Sequence, residues 1–256
     1  MNVAIGSLSV ALGLAYITLG VLATLEVIEG HKTLGVSRFG IGFALMASSC
    51  GPHHLVHGHH VLLGVDAGRE LAMAILLGTP TAVVFLTLRI EAMLDGRGDR
   101  FIAGSPPWLV ATPIIFLIAA GVVIGNAADR ADGSFVIRSP DVLANLFVTV
   151  TYSLVGWPLL RTQFRRRIEA GGWSASGLTL AAIFPTCALM HLTYAIVDAG
   201  DAHTTVVDLW GVPASLYFLW VVRALYHDAI VDWNRRPIVG VTRPARRSSP
   251  WESSRS

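Results

Sequence analysis

Five histidines fall within eight positions of the stretch "SSCGPHHLVHGHHVLLG", residues 48–64. They are His53, His54, His57, His59 and His60, and Cys50 stands just before them. Neutral imidazole is the commonest side-chain ligand for transition metals, and thiolate beside imidazole favours zinc or copper. Spacing of i, i+4 on one helix lets two ligands reach one ion. At about 100° per residue, His53, His57 and His60 form a stripe ~60° wide. Cys50 and His54 extend that stripe on one side, and His59 points away. Gly51 and Pro52 predict a kink where the cluster begins.

A sparser set follows near the end of the chain: Cys187, His191 and Asp198 share one helical face. The candidate metal ligands are therefore Cys50, His53, His54, His57, His60, Cys187, His191 and Asp198. Zinc or copper suits the thiolate and imidazole groups, and carboxylate with imidazole also admits iron. Haem b is the alternative cofactor, with His54 and His191 as axial ligands from facing helices. Asp198 is the one candidate general base, acting on a metal-bound water. Asp66, Glu70, Asp201, His203 and Asp208 predict an acidic outer rim above these groups.

Plainer roles compete for each residue. His191 serves equally as an interhelical hydrogen-bond partner. Cys50 and Cys187 serve equally as small buried packers. His57, His59 and His60 would be idle if they lay in the outer interface. Tyr16 and Tyr152 read as helix packing, and Pro80 and Pro213 as kinks.

What holds these side chains is a greasy chain. Of its 256 residues, 53% are hydrophobic and only 14% charged, with a mean hydropathy of +0.59. A soluble domain carries roughly 25% charged residues. The composition predicts an all-α polytopic membrane protein in a lipid bilayer, multi-pass in a bacterial-type inner membrane. Seven spans are expected, at 3–27, 39–63, 69–90, 107–125, 142–162, 175–198 and 206–227. Each is close to the roughly 20 residues that cross the hydrocarbon. The first begins at Val3 with no basic stretch before it and no small-residue cleavage site after it, so it reads as a retained helix.

Lys and Arg set the orientation. The loops on one side carry 16 of them and those on the other only 3, namely Arg69, Arg130 and Arg138. The N-terminus is expected outside and the C-terminus in the cytoplasm. The net charge of +2 then reflects topology and does not point to nucleic acid. Residues 1–233 make the transmembrane domain. Residues 234–256, rich in Arg, Ser and Pro, predict a disordered basic cytoplasmic tail. The two cysteines lie mid-span and do not suggest a disulfide framework.

The chain also echoes itself. "YITLG" (16–20) matches "YSLVG" (152–156), "CGPHHL" (50–55) matches "CALMHL" (187–192), and "GTPTAVVFL" (78–86) matches "GVPASLYFL" (211–219). The offsets are 136, 137 and 133 residues, in the same order along the chain. They predict a parallel repeat of two three-helix units, about 3–90 and 142–227, joined by a connector helix at 107–125. Parallel repeats are a known transporter plan.

"MHLT" (190–193) resembles the M-H-Y-T signature of bacterial membrane sensor domains, for which copper ligation has been proposed. Leu192 stands where that signature has tyrosine, and the signature is not repeated. Ser49-x-x-x-His53 resembles one element of the seven-helix zinc hydrolases that include alkaline ceramidases and adiponectin-type receptors. The Asp of their third span and the H-x-x-x-H of their seventh are missing here. Each resemblance spans a handful of residues. A retinal protein is excluded, because Lys32 is the only lysine and falls in a loop. G-x-S-x-G, Walker and G-x-G-x-x-G motifs are absent.

Three functions follow, in order. The first is a metal- or haem-binding protein that senses, carries or inserts the cofactor. The second is a metal-dependent hydrolase of a lipid-like substrate. The third is a transporter of a small solute, or a proton-coupled one, with the histidines as a proton relay. Whether the protein is an enzyme, and which protein partner it has, stay open at this point.

Overall fold

The computed structural model describes residues 2–65, 68–95, 99–131, 139–197 and 205–224. Among them the apolar runs form seven helices: α1 (Asn2–Leu34), α2 (Arg38–Leu62), α3 (Gly68–Asp95), α4 (Pro107–Arg130), α5 (Pro140–Ala170), α6 (Ala175–Val197) and α7 (Thr205–Ala224). Six are long and apolar enough to cross a bilayer. The helix that falls short is α2, whose five histidines lower its hydropathy. The chain is an all-α, multi-pass membrane protein.

Helix ends differ from the expected spans where polar turns prolong the helix. α1 continues to Leu34 and α5 to Ala170, both past the limit of an apolar stripe. α2 runs through Pro52 as one helix, and its N-terminus is capped by Ser37 Oγ, which accepts from the Gly40 amide. Two short strands escape the apolar periodicity altogether. β1 (Phe101–Ala103) pairs antiparallel with β2 (Gly172–Ser174), with Ile102 opposite Trp173. Asp99 anchors this clip by accepting from the Ser176 amide and hydroxyl and from the Ser174 hydroxyl.

The packing brings distant segments of the chain together. α1 lies on α2 and α3, and α5 lies on α6 and α7. α2 packs on α7, and α3 packs on α6. α4 touches α3 and α6, and buries only Val123 and Ala127. Phe116 and Ala120 pack partly against the same core as Val123, and most of the helix's other apolar side chains, such as Ile114, Ile115, Leu117 and Ile118, are exposed. A buried ion pair between Glu26 and Arg89 ties α1 to α3.

Close backbone approach fixes α2 against α1. A Cβ on Gly51 would stand 2.7 Å from Ile17 Cγ1, and one on Gly58 would stand 2.8 Å from the Gly6 carbonyl oxygen. Glycine lets the two backbones meet, as small residues do in membrane helix pairs. With Gly51 and Gly58 turned to α1, the stripe carrying Cys50, His53, His54 and His57 enters the interior, where all four are buried.

Candidate functional site

His53 and His54 of α2 and His191 of α6 are each 1% exposed. Their Nδ1 atoms are all engaged. His53 Nδ1 lies 2.8 Å from Asp208 Oδ1 of α7. His191 Nδ1 lies 2.6 Å from Asn145 Oδ1 of α5. Asn145 Nδ2 donates to Asp208 Oδ2 and to the Asp141 carbonyl, 3.0 Å in each case. One chain of bonds thus links four helices through His53, Asp208, Asn145 and His191.

The donors in that chain fix the tautomers. Asp208 as a carboxylate only accepts, so His53 Nδ1 carries the proton. Asn145 uses its amide nitrogen on Asp208 and Asp141, so its oxygen accepts from His191 Nδ1–H. Ser9 Oγ donates to the His54 carbonyl at 3.0 Å and faces His54 Nδ1 at 3.5 Å. Ser9 is therefore arranged to accept a weak bond from His54 Nδ1–H. In all three rings the bare lone pair is on Nε2. None of these three Nε2 atoms has a partner among the described residues.

The rings are neighbours. His53 lies 5.2 Å from His191 and 6.3 Å from His54, centre to centre. Tyr194 meets His53 at 4.5 Å and His57 at 5.2 Å, edge on in both cases. Tyr16 stacks on His54 at 5.6 Å, and Tyr152 meets His191 at 5.7 Å. A layer of thiols and phenols lies one helical turn away. Tyr16 Oη is 3.1 Å from Cys187 Sγ, and Tyr152 Oη is 3.1 Å from Cys50 Sγ.

The sequence candidates separate into those brought together and those left out. His53, His54 and His191 converge, and His57 is buried beside them. Cys50 and Cys187 are buried as free thiols in their own layer. His60 is half-buried, its ring 6.0 Å from the exposed His59. Asp198 lies outside the described residues, as do Asp66, Asp201 and His203. Two of the expected rim carboxylates are elsewhere. Glu70 is buried and paired with Arg130. Asp208 is 1% exposed and bonds His53, because it lies on the buried face of α7 with Gly211, Ser215 and Phe218.

Asp208, Asn145 and Ser9 are the site residues that sequence reasoning missed. A signal was there. Ser9 and Asn145 each stand seven residues before Tyr16 and Tyr152, on the same helical face. Asp208 shares a face with Gly211, Ser215 and Phe218, all buried.

The arrangement is chemically a set of buried imidazole nitrogens whose lone pairs have no hydrogen-bond partner among the described residues. Each Nδ1 is oriented by a second group, as metal-ligating histidines usually are. Among the described residues, no three His, Cys, Asp or Glu side chains already stand together as a closed metal site. Comparison with family models, with curated proteins and with solved structures returns no match.

Proposed function

We propose that this protein binds a transition metal ion, zinc or copper, through His53, His54 and His191, and senses, carries or inserts it. The observation that carries the reading is the three buried imidazoles whose Nε2 lone pairs are unpartnered. A buried acceptor left unsatisfied costs about 1–3 kcal/mol. A cation is the partner that three lone pairs would share, and imidazole is a good ligand for both metals. His57 is buried edge-on to the Tyr194 ring, which also meets His53. Binding requires the rings to turn, since the three nitrogens do not already converge on one point. Haem b fits less well, because His53 packs against the rings of both would-be axial ligands, at 6.3 Å from His54 and 5.2 Å from His191.

The same reading includes seven spans with the N-terminus outside and two three-helix units joined by α4. Support comes from contacts that recur at the offset of the sequence echoes. The pair Ser9 and His54 corresponds to Asn145 and His191. Tyr16 on Cys187 corresponds to Tyr152 on Cys50. Gly78 against Thr186 corresponds to Gly211 against Ser49.

A second reading, a proton relay, is favoured by the buried pair of titratable groups His53 and Asp208, 2.8 Å apart, with Asn145 fixing the carboxylate on one side and His191 on the other. Metal analysis by mass spectrometry separates the two. Purified protein loaded with zinc or copper and then desalted is expected to keep one ion per chain, and His53→Ala, His54→Ala and His191→Ala to lose it. Wild-type protein that keeps no ion overturns the metal reading. Proton flux into proteoliposomes would then test the relay.

A further inference from the structure

We propose that the ion reaches its histidines by one route, between α2, α5 and α7, and that Asp141 is the carboxylate that receives it there. The inference rests on the metal reading of His53, His54 and His191 and adds how that site is filled. Asp141 and Asp208 stand in the first turns of α5 and α7. One amide joins them at the same end of the bundle: Asn145 Nδ2 donates to the Asp141 carbonyl and to Asp208 Oδ2, 3.0 Å in each case. Asp208 then meets His53 at 2.8 Å. Exposure falls along this column, from 8% at Asp141 to 1% at Asp208 and at His53.

The Asp141 carboxylate is not used up by its own helix. Its Oδ1 accepts from the Ser139 hydroxyl at 2.7 Å. Its Oδ2 is buried and has no hydrogen-bond partner among the described residues. Neither oxygen accepts from a described amide at the start of α5, as the carboxylate of a helix cap would. A carboxylate oxygen withdrawn from water and left bare is costly. A passing cation satisfies it.

The other half of the chain fills the same place with hydrocarbon. At the offsets of the sequence echoes, 136 for α1 and α5, 137 for α2 and α6 and 133 for α3 and α7, Asp141 corresponds to Ile5, His53 to Met190 and Asp208 to Ile75. Ile5, Met190 and Ile75 are all buried in one apolar cluster. His54 and His191 correspond to each other, so the imidazole is kept in both halves while its three neighbours change from apolar to ionisable. A cation is expensive to carry past apolar side chains, so the half with the carboxylates is the way in. Charge of one sign lining an approach also raises the encounter rate of the opposite charge, by roughly 10–10³-fold.

The test uses the full chain in detergent and measures zinc kinetics by stopped flow. Association is followed with a fluorescent zinc indicator, and dissociation by mixing loaded protein with a chelator. Asp141→Asn is expected to slow association about tenfold and to flatten its dependence on ionic strength, with dissociation no faster than in wild type. Asp141→Glu keeps the charge and should recover most of the rate. Ile5→Ala, at the corresponding position of the other half, should associate like wild type. Thermal unfolding of each variant shows that it is folded. Three results overturn the route: wild-type association in Asp141→Asn, a loss of affinity there that comes only from faster dissociation, or an equal slowing in Ile5→Ala. Wild-type protein that binds no zinc takes down the imidazole site and the route together. Zinc bound at the wild-type rate by Asp141→Asn refutes the route alone.

Discussion

Replacing Asp208 by Asn removes one acceptor and adds one donor at the junction of the bond chain. Asp208 now accepts from two groups, His53 Nδ1–H at 2.8 Å and Asn145 Nδ2–H at 3.0 Å. An asparagine has one oxygen to offer, so one of those neighbours must change. Asn145 is the harder to turn, because the same nitrogen also holds the Asp141 carbonyl at 3.0 Å. His53 is therefore the ring that switches. Its proton moves from Nδ1 to Nε2, and Nδ1 accepts from the new amide. That step removes one of three bare Nε2 lone pairs without removing a histidine. Losing an outer-shell partner of this kind lowers metal affinity about 10–100-fold, or ~1.4–2.7 kcal/mol. The effect on folding should be smaller, since interhelical hydrogen bonds in membranes average only about 0.6 kcal/mol. Nitrogen-15 chemical shifts of the imidazoles report the tautomer, and competition titration with a zinc chelator reports the affinity. An Asp208→Asn protein whose His53 keeps its Nδ1 proton, or whose zinc affinity equals wild type, would refute the reasoning.

Other substitutions probe the scaffold and the edges of the site. Gly58→Val should weaken the α1–α2 contact, since a Cβ there would lie 2.8 Å from the Gly6 carbonyl oxygen and 2.9 Å from the Val10 nitrogen. Overpacking of that kind costs about 1–3 kcal/mol, read as a lower unfolding temperature in detergent. Glu26→Met leaves Arg89 as a buried charge without its carboxylate, and should cost about 3–5 kcal/mol. The double change Glu26→Met with Arg89→Met should recover most of that, measured by the same thermal shift. His60→Ala should leave zinc affinity unchanged, because His60 is half-buried and turned towards His59. Acidification should release the bound ion, because protons compete for the Nε2 lone pairs, and a metal-sensitive dye reads the release.

Some of this structure was legible in the residues, and some was not. Apolar runs located the helices, because crossing a bilayer demands about 20 such residues. They could not locate the far ends of α1 and α5, where polar turns continue the helix beyond the apolar stripe. The strand pair at 101–103 and 172–174 has no alternation long enough to read, since each strand is three residues. The histidine stripe was read correctly as inward at His53, His54, His57 and His191, because unpartnered imidazoles are expensive in lipid. Asp208 was misread as rim. Its place near the start of α7 suggested an exposed turn, yet His53 of α2 and Asn145 of α5 cover its carboxylate. Ser9 and Asn145 carry no metal chemistry, so a search by ligand type passed over them. They matter because they hold rings that do.

X-ray absorption at the metal edge tests the central claim most directly. The purified protein would be loaded with one equivalent of zinc, with the Cys50→Ser, Cys187→Ser background removing the thiols from the signal. Three nitrogen scatterers at about 2.0–2.1 Å, with the outer-shell pattern of imidazole rings, are the expected result. The same spectrum from the His53→Ala, His54→Ala, His191→Ala protein should show no such shell. A wild-type-like imidazole signal in that triple variant, or zinc surrounded only by oxygen in the parent, would contradict a metal held by these three histidines.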